Sequence, residues 1–313
     1  DFIMGKESVS FRQAVEILRE CAGYAPAPGR MTTRQGTEHP ILIRPGPDLT
    51  DAELLDTVTD YYHKTFLNDP KAMTYLRQRC CLHPEAIKTF KLGYANRTLG
   101  YRVPATTADG KALKARLQKL GILRESGHEH LCGSVVIPIL DRHGHTVGMY
   151  GRKVTPRLRE GTPDHLYLPG DHKGVWNEIG LLNQKEWLLC EALLDALTLW
   201  CAGFRNVTAS YGVNGFTPDH WRLMEEAKPE RIILCFDNDP AGNAAAEALR
   251  PRLEEHGVAV IRARLPEGQD VNDVARSTRN PTTALAAVIE AAQAETSSRA
   301  GAQPLSSLAA IAA

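Results

Sequence analysis

Residues 185–263 alternate short apolar strings with longer amphipathic ones, and this alternation constrains the fold more than any other feature of the chain. Residues 187–190, 206–209, 231–236 and 258–263 read as strands, with helical spacing at 193–202, 218–227 and 240–256. Strands joined through helices of this length pair in parallel, and the near-continuous apolar strings imply a sheet covered on both faces. In open sheets of this kind, ligands bind beyond the carboxyl ends of the strands.

Acidic residues stand at those ends three times over. Glu191 follows the first strand, and Asp195 comes four residues later, one helical turn away on the same face. Asp237 and Asp239 follow the third strand, two apart and on one side of an extended chain. Asp270, Asn272 and Asp273 follow the last strand across Pro266-Glu-Gly268. Each acid taken alone has a structural explanation. Glu191 precedes the positive end of a helix, and Asp239 with Pro240 makes a good N-cap to which Gly242 is incidental. Asp270 and Asp273 can cap a turn. Caps do not explain why three separate strand ends carry acids. Converging carboxylates raise one another's pKa unless a cation intervenes, and an all-oxygen donor set favours Mg²⁺ or Mn²⁺ over zinc. Ser210-Tyr-Gly-Val-Asn-Gly215 reads as a strand-to-helix turn capped by Thr217-Pro218, with only a loose likeness to a phosphate-cradling loop.

The preceding half is organised differently. Residues 7–21 read as an amphipathic helix, and the prolines from 26 to 47 as a linker. Helix restarts with Asp51 as its cap and continues to about residue 80, broken near Asp69-Pro70, with a further short helix at 83–90. Residues 135–140 and 146–150 form a hairpin around Asp141-Arg-His-Gly144. The 37 basic and 37 acidic residues of the 313-residue chain cancel, but not locally. From Lys71 to Glu160 there are 17 Lys and Arg against 6 Asp and Glu, a balance of 17 − 6 = +11, leaving −11 elsewhere. A segment so basic suits a surface that tracks phosphates; a solvated helical face such as 111–119 is the plainer alternative.

The seven cysteines, Cys21, Cys80, Cys81, Cys132, Cys190, Cys201 and Cys235, include no Cys-x-x-Cys pair, which argues against a zinc knuckle within these residues and fits a reducing cytoplasm. No apolar run approaches the roughly 18 residues of a membrane span. The tail at 296–313, rich in Ala and Ser, is expected to fray.

Glu191 after an apolar strand, followed by Phe236-Asp-Asn-Asp-Pro-Ala-Gly242, resembles the Toprim signature of a glutamate and an Asp-x-Asp motif. Ala72-Met-Thr-Tyr-Leu-Arg77 through Ile87-Lys-Thr-Phe-Lys-Leu-Gly-Tyr94 resembles the catalytic core of DnaG-type bacterial primases. So do Val136-Ile-Pro-Ile-Leu-Asp141 with Gly148-Met-Tyr-Gly-Arg152, then Tyr167-Leu168 with His172-Lys-Gly174, Ser210-Tyr-Gly212 and Leu265-Pro-Glu-Gly-Gln-Asp270. The order of the motifs, from about Asp51 to Ser277, is more specific than any one of them.

The resemblance implies a fold class: an α+β basic N-terminal subdomain at 51–180, then an α/β Toprim domain at 181–277. Residues 1–21 would be the tail of a missing zinc-binding domain, consistent with a first residue that is Asp1, not Met. Residues 22–50 would be linker, and 278–313 a C-terminal helix and flexible tail. It further implies primer synthesis on single-stranded DNA from nucleoside triphosphates, with a replicative helicase as a candidate protein partner and no membrane. Asp237 and Asp239 would be the principal metal ligands and Asp270 a further one. Glu191 would serve as ligand or base, with Asp195 and Asn272 supporting. Arg152 and Lys173 would contact nucleotide or template. A metal-dependent nuclease and a non-catalytic DNA-binding or partner-docking relative are the alternatives. Three departures from the family pattern fit a divergent member, such as one carried on a mobile element. Leu131-Cys-Gly-Ser134 lacks an arginine, His165-Leu-Tyr-Leu-Pro169 lacks an asparagine and a lysine, and Asn272 stands where an aspartate is common.

Overall fold

A computed structural model describes residues 49–300 apart from 104–106, 156 and 213–214, with side chains as far as residue 294. The helix expected at 7–21, the linker as far as residue 48 and the tail beyond residue 300 lie outside the described residues. Two compact units emerge: one runs to Tyr75 and resumes over Ile87–Lys173, the other takes Leu76–Ala86 and everything from Gly174 onward.

The first unit opens with helix α1 (Asp51–Asn68). Its cap is Thr50, not Asp51: the Thr50 Oγ1 accepts the Glu53 amide at 3.2 Å, and the Glu53 carboxylate accepts the Thr50 amide at 2.7 Å. This reciprocal capping box satisfies two otherwise orphaned donors. Asp51 is instead the first helical residue and binds Arg116 at 2.7 Å. Leu54, Val58, Tyr61, Tyr62 and Phe66 recur at helical spacing and are all buried. Pro70 starts helix α2 (Pro70–Gln78), and α3 (Pro84–Thr89) follows. Strand β1 (Gly93–Ala95), helix α4 (Ala108–Lys119), and strands β2 (Ser134–Leu140), β3 (Thr146–Lys153) and β4 (His165–Tyr167) complete the unit. The four strands form an antiparallel sheet in the order β1-β2-β3-β4. The expected hairpin is β2 with β3. Its turn is closed by Asp141 Oδ1, which accepts the amides of His143 and His145, both at 2.9 Å.

The second unit holds the parallel sheet. After the short helix α5 (Glu178–Leu181) come β5 (Glu186–Cys190), α6 (Leu193–Cys201), β6 (Val207–Ala209), α7 (Pro218–Ala227), β7 (Arg231–Cys235), α8 (Pro240–Glu255), β8 (Ala259–Arg262), α9 (Val271–Arg276) and α10 (Pro281–Ala300). The strands pair in parallel in the order β6-β5-β7-β8. Trp187, Leu189, Ile232 and Leu234 pack with Leu223 and Met224 of α7 and Ala245, Ala246, Leu249 and Leu253 of α8. The alternate residues Leu188, Cys190, Ile233 and Cys235 are buried as well, and face the other way. Helix α6 packs against β5 and β6 and is buried at every residue from Leu193 to Trp200. Among the described residues no helix is long and apolar enough to cross a membrane.

The turn into α7 is capped by a second reciprocal pair. Thr217 donates its amide to His220 Nδ1 at 3.1 Å, so the imidazole proton sits on Nε2, which donates to the Ala209 carbonyl at 2.9 Å. His220 is fully buried, and burial pushes its pKa down to about 4. The unfolded chain therefore takes up this proton first, near pH 6.5. The contribution of the neutral imidazole is complete above that value and lost as pH falls toward 4. Its full size is about 3 kcal/mol. Urea unfolding should show the stability difference between the native chain and His220→Gln shrinking as pH is lowered from about 7 to about 4.

Candidate metal centre

The carboxyl ends of β5, β7 and β8 turn toward one edge of the second unit, and backbone hydrogen bonds fix how each turn leaves the sheet. At β5, the Ser210 amide donates to the Cys190 carbonyl and the Gly212 amide to the Glu191 carbonyl, both at 2.9 Å. Glu191 is thereby seated against the loop after β6. That loop is tight: Tyr211 has φ +59°, and a Cβ on Gly215 would stand 1.9 Å from the Ser210 carbonyl oxygen. The Tyr211 hydroxyl points back into the unit, accepting from the Trp176 amide at 2.8 Å and donating to the Gly174 carbonyl at 3.1 Å. Residues 213 and 214, the middle of the segment with a loose phosphate-loop likeness, lie outside the described residues.

At β7 the chain leaves the sheet as Phe236, Asp237, Asn238 and Asp239. Asp239 is extended and caps α8, its Oδ1 accepting the Gly242 amide at 2.7 Å, with Pro240 as the first helical residue. Gly242 is required, not incidental. A Cβ there would lie 2.3 Å from the Asp237 carbonyl oxygen and about 3 Å from the Asp237 carbonyl carbon and nitrogen. Asn238 ties the next strand end to this turn. Its Nδ2 donates to the Leu265 carbonyl at 2.7 Å, its amide to Gln269 at 3.1 Å, and its carbonyl accepts from Gly268 at 2.8 Å. Asp270 then caps α9 by accepting the Asp273 amide at 2.5 Å.

Glu191, Asp239, Asp270 and Asp273 thus surround Asp237 with negative charge. Asp237 is half-buried, and burial first, then those four neighbours, pushes its pKa up to about 7. Among the described residues no three His, Cys, Asp or Glu side chains close into a ready-made cage for an ion. The acids share a field at an open edge. Such an oxygen-only set fits a hard divalent ion that keeps several waters and takes one or two protein carboxylates together with substrate phosphates.

Asp195 does not stand on a common helical face with Glu191. Ala192 is extended, so α6 begins only after the acid, and the i,i+4 relation has no helix to act through. Asp195 is buried and its Oδ1 accepts the Asn272 amide at 3.0 Å. The Asn272 side chain turns inward as well: it donates to the Arg79 carbonyl at 2.7 Å and Thr198 Oγ1 at 2.8 Å, and accepts from Arg79 Nη1 at 2.9 Å. These two residues anchor α9, whose cap is Asp270.

In the first unit, Arg152 lies within β3, half-buried, with Nη2 2.8 Å from Asp164 Oδ2. Lys173 is exposed. Lys153 donates to the Cys132 carbonyl, and burial holds its pKa below the usual lysine range, with Arg124 and Arg97 adding to the effect. Sequence reading missed Arg79, Thr198 and Arg262, whose contacts to Asn272 and to the Asp237–Gly242 turn are long-range. Gly242 carried a visible signal in Asp-Asn-Asp-Pro-Ala-Gly, but its reason is steric.

Two outcomes are expected. Gly242→Ala should lower stability by about 1–3 kcal/mol in urea unfolding, because the new methyl meets backbone. The folded chain holds the Asp237 proton up to about pH 7, against about 4 when unfolded. The stability this proton represents is present below that window and lost as pH rises through 7. With divalent ions chelated, the melting temperature of Asp237→Asn should therefore gain on that of the native chain from about pH 4 to 8. A constant difference would contradict the assignment.

Comparison with known proteins places both units. Residues 61–167 match the family described as DNA primase catalytic core, N-terminal domain, and residues 188–275 a Toprim-like family. The DNA primase of Aquifex aeolicus is 29% identical over 237 residues, which are 70% of this chain and 45% of that protein. A solved DnaG catalytic core is 25% identical with a TM-score of 0.63, covering 78% of this chain and 80% of that one. A DnaG primase catalytic domain solved bound to single-stranded DNA shares the fold, at 23% identity and a TM-score of 0.63 over 77% of this chain and 81% of that one. The chain spans less than half the length of the curated relatives it matches. Matched on both units and in the order of its motifs, the chain belongs to the DnaG-type DNA primase family, in which it corresponds to the catalytic core with its Toprim domain.

Proposed function

We propose that this chain is a nucleotidyltransferase that builds short primers on a single-stranded DNA template, with Mg²⁺ or Mn²⁺ at the acidic edge of the Toprim unit. The observation that carries the reading is the convergence of acids from three strand ends on half-buried Asp237, which raises its proton affinity. A site that so favours positive charge suits a reaction among phosphates. When bound, the divalent ion would neutralise phosphate charge and stabilise the attacking and leaving oxygens.

In this reading Asp237 and Asp239 are the principal ligands and Asp270 a further one. Asp237 must give up its proton to serve, and a bound cation would favour that loss by offsetting the charge of Glu191, Asp270, Asp239 and Asp273. Glu191, half-buried beside Asp237, acts as a ligand or accepts the proton of the attacking 3′-hydroxyl at its carboxylate. The hydroxyl oxygen then bonds the α-phosphorus of the incoming nucleotide and pyrophosphate leaves. Asp195 and Asn272 hold the helix that carries Asp270 in place. The basic first unit, with Arg97, Arg124 and Lys153 near one another and Arg152 on its sheet, supplies cationic groups for template or nucleotide phosphates. Lys173 joins that set as an exposed cation.

The test is incubation with single-stranded DNA, ribonucleotides or deoxynucleotides, and Mg²⁺ or Mn²⁺. New short primers are expected, and Asp237→Asn should lower their yield about a hundredfold or more while leaving the fold intact. Template shortening without primers would replace this reading with a nuclease, and no change in either strand with a non-catalytic role.

A further inference from the structure

Arg262 ends β8, in register with Leu234 of β7, and its guanidinium reaches under the turn that carries both principal acids. Its Nη2 donates to the Asp237 carbonyl at 2.9 Å and its Nη1 to the Gly242 carbonyl at 3.1 Å. These two carbonyls bracket the segment from Asp237 to Gly242. The same two residues are pressed together by the glycine contact, since a Cβ on Gly242 would meet the Asp237 carbonyl oxygen at 2.3 Å. One planar fork therefore closes the turn where the backbone has no slack.

We propose that Arg262 is a positioning residue of the acidic centre, clamping the Asp237–Gly242 turn so that the two aspartates are held in a cation-ready arrangement. The role rests on the metal reading given above. Two physical effects of this residue oppose each other. The half-buried guanidinium keeps its positive charge and interacts with both Asp237 and Asp239, which by itself weakens cation binding at the site. Its bidentate grip on backbone orders the turn that presents those aspartates, which strengthens binding by removing the need to order it on loading. Lysine keeps the charge but loses the fork, whereas methionine loses both.

The sign of the change in affinity separates the two. Mn²⁺ binding to the full chain would be followed by electron paramagnetic resonance of the free ion near pH 8, for the native chain, Arg262→Met and Arg262→Lys, with melting curves alongside. If the clamp dominates, both variants bind Mn²⁺ about tenfold more weakly than the native chain. Unchanged affinity in the lysine variant, or equal or tighter binding in the methionine variant, overturns the role. Should the methionine variant melt too early to be assayed, the lysine variant alone decides by the same criterion. Absence of Mn²⁺ binding by the native chain overturns the metal assignment, and the role of Arg262 with it. That result differs from either variant outcome.

Discussion

Like charges gathered at one edge of a sheet cannot hold themselves there, and the second unit is built around that difficulty. Asp239 and Asp270 each accept a backbone amide at the start of a helix, where the helix dipole favours negative charge. Asp195 is tied to the Asn272 amide, and Asn238 laces the β7 turn to the segment before Asp270. Such caps contribute about 1 kcal/mol each against the repulsion across this edge. What repulsion remains gathers at half-buried Asp237. Structural duty and electrostatic tension thus fall on the same carboxylates. The capping reading and the ligand reading of these acids describe two consequences of one arrangement.

The charge is distributed unevenly along the chain. A net charge of zero overall conceals a segment of +11 from Lys71 to Glu160 and a compensating −11 elsewhere. In the first unit three of the cations are fastened to named partners: Arg152 to Asp164, Lys153 to the Cys132 carbonyl, Arg116 to Asp51. Side chains held in this way have less conformational freedom left to lose.

Legibility in the sequence followed the range of the interaction. Strands β5 to β8 and their helices fell within a residue or two of expectation, because short apolar runs between turn residues are local signals. The Asp239-Pro240 cap was equally local. Thr50 and Asp51 are both good cap residues, and only the Glu53 contact settles which one serves. The pairing of Glu191 with Asp195 failed because extended Ala192 intervenes. Asn272 was unreadable for a different reason: its partners Thr198 and Arg79 lie 74 and 193 positions away. No window of sequence contains such a contact. Arg262 belongs with it, since its role depends on how closely the turn after β7 approaches the end of β8.

The discontinuity of the second unit has a practical side. Its largest piece begins at Gly174, yet residues 76–86 belong to it and carry Arg79, which brackets Asn272 with two hydrogen bonds. Cys81 lies in the same segment, its thiol 3.1 Å from Thr198 Oγ1 of α6. A fragment started at Gly174 would retain every strand of the parallel sheet and each of the candidate ligands. It would nonetheless take from the buried Asn272 side chain both of its Arg79 hydrogen bonds, and from the Thr198 hydroxyl its Cys81 contact. The Toprim unit of this chain is therefore not a cassette to be cut out at one boundary. Any excised version has to carry residues 76–86 with it, by circular rearrangement or as a second peptide.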